Sequence, residues 1–258
     1  MEITIELVKQ LRDATGVSIT ECKNALTEAG GDLDKAVEVM RKKGISKAGK
    51  RADNATKEGL VKIEVSGGKA YVAAASCETD FVSRGEGFAK LVTDVIAALK
   101  AGKADSIESL RSDAVLKMGE NIRINTEVIP GESIGYYIHT NGKVAAVVTA
   151  KAGVDGEKLR DVAMHVTATN PQALSIAEIP AEIIAKEKEI GLEQMKNDPK
   201  NAGKPTEILE KIISGKLRKF AEENALLSQA FVKDPSMTVE AYVGAGNLVS
   251  FKRISVMG

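Results

Sequence analysis

Apolar positions recur at helical spacing in three short blocks along the first 44 residues. Leu7, Val8, Leu11 and Ala14 fall on one face, and Gly16 can close that turn in left-handed backbone. Ser18 and Glu21 have capping-box form ahead of Ile19, Cys22, Ala25, Leu26 and Ala29, and Gly30-Gly31 stops the block. Asp32 is an N-cap for a third block with Leu33, Ala36, Val37 and Met40, closed by Gly44. A three-helix unit over 1–45 is therefore predicted, too small for a catalytic unit and suited to docking. From Arg41 to Lys57 seven basic residues stand against Asp53 alone. Residues 46–58 read as a basic linker, either a solvated connection or a strip that touches an acidic partner.

Beyond the linker the period drops to two. Gly59–Val65 alternates as a strand, Ser66-Gly67-Gly68 turns, and Lys69–Ser76 returns. A loop leads to a helix over Phe88, Leu91, Val92, Val95, Ile96 and Leu99. Asp105 and Glu108 are placed to cap a second helix to Lys117, and Asn121–Ile129 closes the unit as a strand. The order β-β-α-α-β then recurs. Ser133–His139 and Val144–Ala150 flank the turn Thr140-Asn141-Gly142, a helix carries Leu159, Val162, Ala163 and Val166, Ser236–Val243 forms a short helix, and Leu248–Val256 a strand. Between the two helices of this second copy the chain inserts roughly 169–234. Pro180–Lys196 and Pro205–Asn224 are helical there, around a breaker at Asn197–Lys204, which predicts an antiparallel helical hairpin over about 176–226. The predicted class is α+β, with subdomains at 59–130 and 131–258.

Composition narrows function more than fold. Among the 258 residues 43% are apolar but only 3% aromatic, with no Trp, so the cores must be aliphatic. Lys+Arg and Asp+Glu balance at 36 each, so no global field draws the chain to nucleic acid or membrane. A nucleic-acid binder would use exposed stacking rings on its strands, and only Tyr71, Tyr136 and Tyr137 are candidates. The first residues carry no basic segment followed by an apolar one, and no apolar run reaches membrane-helix length. Cys22 and Cys77 are far apart, without metal-ligand spacing. A soluble, cytoplasmic binding protein with no cofactor or metal of its own is expected.

Candidate chemistry is sparse. His139 and His165 are the only histidines, and neither lies beside a nucleophile motif or a zinc-binding helix pattern. His165 has an apolar helix around it and reads as structural; His139 precedes a turn and reads as surface. No phosphate-cradling glycine motif is found. A small enzyme would need convergent acid and base groups that the sequence does not display. The loop Cys77–Gly87 stands apart, because the matching connection Lys151–Gly156 is shorter and has no aromatic. Two roles are open for it. Thr79 or Asp80 could cap a helix whose first turn buries Phe81 and Val82, or Thr79-Asp80-Phe81-Val82 could be a tip that offers Phe81 to a partner's pocket. Burying one Phe is worth about 1.5–3 kcal/mol, enough to anchor a contact.

Four stretches carry a likeness to a known family: Leu11-Arg12-Asp13-Ala14-Thr15-Gly16 with Cys22-Lys23-Asn24-Ala25-Leu26; Cys77-Glu78-Thr79-Asp80-Phe81-Val82; Ala163-Met164-His165-Val166 with Pro171; and Gln229-Ala230-Phe231-Val232-Lys233-Asp234. On these the chain resembles elongation factor Ts, the guanine-nucleotide exchange factor of elongation factor Tu, along nearly its whole length. The resemblance implies a UBA-like N-terminal domain and two related subdomains, the second with a helical hairpin. It implies that Asp80 and Phe81 intrude near the partner's magnesium and phosphate site. Arg12 and Lys23 would meet its nucleotide-binding domain, as would Val232 and Lys233, while Met118, Gly119 and His139 would make further contacts. Ala230 stands where most relatives have proline, and Lys233 where some have an apolar residue, so that last patch is expected to be looser or differently charged. The resemblance allows one-to-one pairs or two-to-two assemblies with a homodimer formed through the second subdomain.

Overall fold

The computed structural model describes residues 3–197 and 206–257; apart from Asn197, the expected breaker lies outside them. They fall into two compact units. The first takes in the described residues up to Pro130, with Ile138–Val144 and the chain from Ile254; the second takes in Gly131–Tyr137 and Ala145–Arg253. The mixture of helix and sheet is the α+β class expected.

The first unit opens with α1 (Ile5–Thr15), α2 (Ile19–Glu28) and α3 (Leu33–Lys50). Each start is held by a short polar side chain. Thr4 accepts from the Leu7 amide, Ser18 from Glu21 and Asp32 from Lys35. Gly16 ends α1 at φ 68°, as its position suggested. Leu11, Cys22, Ala25, Leu26, Ala36 and Met40 are buried together, and Leu116 from further along the chain joins them.

The third helix departs from expectation, because it runs through Gly44 to Lys50 instead of closing at Gly44. Packing explains this. A Cβ at position 44 would lie 2.8 Å from the Ser112 carbonyl oxygen on α6 (Ile107–Met118), so the absent side chain lets two helices approach closely. Arg41 adds a hydrogen bond to Ser109 Oγ at 2.9 Å. Helix-to-helix contact outweighs the roughly 1 kcal/mol that an interior glycine costs.

Strands β1 (Glu58–Ser66), β2 (Lys69–Cys77) and β3 (Arg123–Pro130) form an antiparallel sheet ordered β1-β2-β3. Its register runs from Glu58↔Cys77 to Ser66↔Lys69, and from Lys69↔Pro130 to Ser76↔Arg123. Gly67 and Gly68 both take positive φ (57° and 69°), as a tight two-residue hairpin demands. Helices α4 (Asp80–Ser83) and α5 (Glu86–Lys100) follow β2. Phe88, Leu91, Val92, Val95 and Ile96 of α5 pack on Ala73, Ala75 and Cys77, with Ala114, Val115 and Ile122 completing the core. Asp105 does not cap α6. A 3-10 turn over Ala104–Ser106 precedes that helix, and the Glu108 carboxylate is drawn to Arg111 at 2.6 and 2.9 Å.

The second sheet is ordered β4-β5-β8, from β4 (Ser133–Ile138), β5 (Val144–Ala150) and β8 (Leu248–Ser255). In the second unit α7 (Gly156–Thr169) covers it with Leu159, Val162, Ala163 and Val166, which meet Ala146, Val148, Phe231, Val239 and Leu248. Between α7 and the short α10 (Val239–Val243) come α8 (Ala181–Asn197), α9 (Thr206–Asn224), β6 (Ala230–Phe231) and β7 (Asp234–Thr238). Helices α8 and α9 pack on each other, and their base is sealed by Ala173, Ile179, Ala221 and Ala225. The helix expected over 236–243 begins only at Val239, because Thr238 caps it by accepting from Ala241 and the residues before it pair as β7.

Candidate functional site

The tip grows from the end of a buried strand. Cys77 is fully buried, and burial with the nearby Glu120 charge pushes its thiol up to about 12, so it stays a neutral donor to the Thr79 carbonyl at 3.3 Å. Thr79 then turns the chain. Its hydroxyl accepts from the Val82 amide at 3.5 Å, and its carbonyl from the Ser83 amide at 3.2 Å, which makes the single turn of α4. Within that turn the side chains of residues 81 and 82 point about 100° apart. Val82 packs inward against the core of the first sheet. Phe81 points out and is 87% exposed, the highest value among the exposed large apolar side chains described. The capping expected of Thr79 is present; the burial of Phe81 that went with it is not. Asp80, at the first position of the turn, pairs with Arg84 at 3.2 Å.

Two carboxylates clasp the base of this tip. Glu120 Oε2 accepts from the amides of Glu78 and Thr79, both at 3.0 Å, and its Oε1 accepts from the Thr79 hydroxyl at 2.5 Å. In return Glu78 Oε1 accepts from the Asn121 amide at 2.6 Å, from Asn54 Nδ2 at 2.9 Å and from Arg51 at 3.3 Å. The Asn121 amide foremost, then Asn54 and Arg51, hold the Glu78 carboxyl below its ordinary range against the cost of burial. Sequence reasoning called Thr79 but gave no part in this arrangement to Glu78, Glu120, Arg51 or Asn54. Arg51 and Asn54 sit in the stretch read as a basic linker, either solvated or touching an acidic partner, and no periodicity marks Glu78 or Glu120.

The clasp joins the tip to the Met118-Gly119 turn. Met118 packs on the core, and a Cβ on Gly87 would stand 3.4 Å from its Cε; Gly119 is exposed and ends α6 at φ 75°. A third segment reaches the same region of the first unit. The turn after exposed His139 is closed by the Gly142 amide donating to the His139 carbonyl at 2.8 Å, and the Val61 amide donates to the Gly142 carbonyl at 2.8 Å. An open cleft of about 930 Å³ lies beside the tip, with Leu60, Asp80, Phe81, Thr140 and Asn141 in its wall and Lys143 paired to Glu58 at 2.6 Å. Thr79–Val82, Met118-Gly119 and the turn that follows His139 are thus gathered within one unit. Arg12 and Lys23 are exposed on α1 and α2.

The remaining candidates lie in the second unit. Phe231 is buried, stacked on Tyr242 with ring centroids 4.2 Å apart. His165 is fully buried. Its Nε2 faces Gln229 Oε1 at 2.8 Å, and its Nδ1 accepts from the Val232 amide at 3.2 Å. Accepting at Nδ1 requires a neutral ring, and burial lowers its proton affinity accordingly. It is structural, as its setting predicted, and it fixes the backbone under exposed Val232. Lys233 pairs with Asp161 at 2.5 Å, so its extra charge is met locally.

Among the described residues no group of His, Cys, Asp and Glu could hold a metal ion, and no helix is long and apolar enough to cross a membrane. What the site offers is a contact: an aromatic ring held into solvent on a clasped turn beside a cleft. A ring presented in this way is suited to contact with another molecule. The family model described as "Elongation factor TS" matches residues 78–257. Curated proteins named "Elongation factor Ts" from Francisella tularensis subsp. novicida and subsp. holarctica are each 41% identical over 271 residues, covering 98% of this chain and 92% of theirs. The chain belongs to the elongation factor Ts family. Its functions are those of an exchange factor in translation elongation and protein biosynthesis.

Proposed function

We propose that this chain binds elongation factor Tu carrying GDP, promotes GDP release and so allows GTP to load, with the 79–82 turn working at the partner's magnesium and phosphate site. The observation that carries this is Phe81, 87% exposed on a turn that its own fold holds in place. An exposed ring costs free energy in water that contact with a partner recovers. Exchange requires the factor to bind the nucleotide-free partner more tightly than the nucleotide-bound one, and linkage makes the weakening mutual. Accelerating release by several orders of magnitude takes about 4–7 kcal/mol. Phe81 contributes about 1.5–3 kcal/mol of that as a wedge. Asp80 adds a charge that disturbs groups supporting the ion. The rest comes from docking through Arg12, Lys23, Met118, Gly119, His139, Val232 and Lys233, as far as those contacts are tighter to the nucleotide-free partner.

In this scheme residues 1–45 are a UBA-like docking module joined through 46–58 to two related subdomains, 59–130 and 131–258, the second carrying the 176–226 hairpin. The chain performs no bond chemistry itself, and it works in the cytoplasm. Release of fluorescent GDP from elongation factor Tu, followed by stopped flow with and without the chain, tests the proposal. Release should accelerate by at least about 10³-fold at saturating factor, the low end of the range above. An unchanged rate in the presence of a stable complex would refute exchange.

A further inference from the structure

We infer that Glu120, with Glu78 as its reciprocal partner, is a positioning residue that sets the height and direction of the exchange tip. The inference rests on the proposed role of Phe81 and adds a residue outside the tip on which that role depends.

The tip has little else to define it. The helix beneath Phe81 is a single turn, below the length at which a helix is stable in isolation. Val82 alone of its apolar residues packs on the core, and the Thr79–Val82 cap bond is long at 3.5 Å. Glu120 supplies what is missing. Its two oxygens collect the Glu78 amide, the Thr79 amide and the Thr79 hydroxyl. A hydroxyl that donates to Glu120 keeps its lone pairs for the Val82 amide, so the clasp also orients the cap. Glu78 closes the ring in the opposite direction through the Asn121 amide, one residue beyond Glu120. Bonds between a carboxylate and backbone amides are the stronger, charge-assisted kind. Because each carboxylate accepts from a backbone amide at or next to the residue that carries the other, the two segments are tied together in both directions. A wedge must be preorganised, since every degree of freedom it keeps is lost on binding.

Glu120→Gln tests this at constant shape, because an amide keeps one acceptor oxygen and turns a second donor toward donors. Three results are expected. Hydrogen exchange at the Glu78 and Thr79 amides should rise about tenfold (roughly 1.4 kcal/mol). Maximal GDP release from elongation factor Tu should fall about tenfold, while the half-saturating concentration of factor moves less than about threefold. In a Phe81→Ala background Glu120→Gln should slow release no further, because both act through one ring. Faster amide exchange with an unchanged release rate would overturn the inference, and so would an effect that multiplies fully with Phe81→Ala. If Phe81→Ala itself leaves release intact, the wedge reading fails. The clasp then stands or falls on amide exchange and on release by Glu120→Gln alone. Should that variant not fold, Glu120→Asp keeps the charge, withdraws the carboxylate by one methylene and carries the same comparison.

Discussion

Two connections in this molecule perform the same topological step and differ in almost everything else. Each leads from the central strand of a three-stranded sheet to the helix that covers it. In the second unit the step from β5 to α7 is short. The Lys151 amide donates to Asn247 O at 3.0 Å, the Ala152 amide to Glu132 at 3.0 Å, and Asp155 starts the helix by accepting from Glu157 at 3.0 Å. In the first unit the step from β2 to α5 spends an added helical turn and holds Phe81 into solvent. Of the added turn only Val82 packs on the core. It is held by carboxylates on backbone amides, Glu120 on residues 78 and 79 and Glu78 on residue 121. A fold that needs only a connection makes a minimal one; here the extra residues come with a dedicated polar support.

The largest effect is expected in the core of the second unit. Phe231→Ala, in the second unit's core, removes a ring that is 1% exposed and stacked on Tyr242, and should cost about 3–5 kcal/mol by chemical denaturation. Loss of the short connection's cap comes next. Asp155→Ala should cost about 1 kcal/mol, measured the same way.

The clasp should add a smaller, pH-dependent effect. Glu78 has its carboxyl held below the ordinary range by the Asn121 amide first, then by Asn54 and Arg51. A depressed folded value means its stabilisation is fully present above the unfolded value of roughly 4.3 and is lost as pH falls through the folded one. Melting of wild type and Glu78→Gln should therefore differ near pH 6 and draw together as pH falls below the unfolded value of roughly 4.3. The smallest change is expected at the tip itself. Phe81→Ala should alter stability by less than about 0.5 kcal/mol, because the ring packs on little of its own chain.

Much of this was legible in the residues. Apolar periodicity placed the helices and strands, and capping patterns at Ser18 and Asp32 located two helix starts that the structure keeps. The buried setting of His165 followed from its helix. Three things did not follow. Gly44 read as a stop because its partner, the Ser112 backbone, is 68 residues away and leaves no local mark. Asp105 read as a cap because its spacing to Glu108 is right, yet Glu108 is claimed by Arg111. At the site, sequence left open whether Phe81 turned in or out, and the single turn that points Val82 to the core settles its direction. Glu78 and Glu120 lie 42 residues apart, so a reciprocal clasp between them is a property of the sheet that brings their segments together.

We propose that an exposed ring with little part in its own fold drives exchange. Its most direct test is single-turnover release of fluorescent GDP from elongation factor Tu at saturating Phe81→Ala. The expected result is a maximal rate lowered about 10- to 100-fold, the kinetic equivalent of one buried Phe, with the variant's melting unchanged. A maximal rate equal to wild type would contradict the claim and leave Phe81 as a surface residue without a part in release.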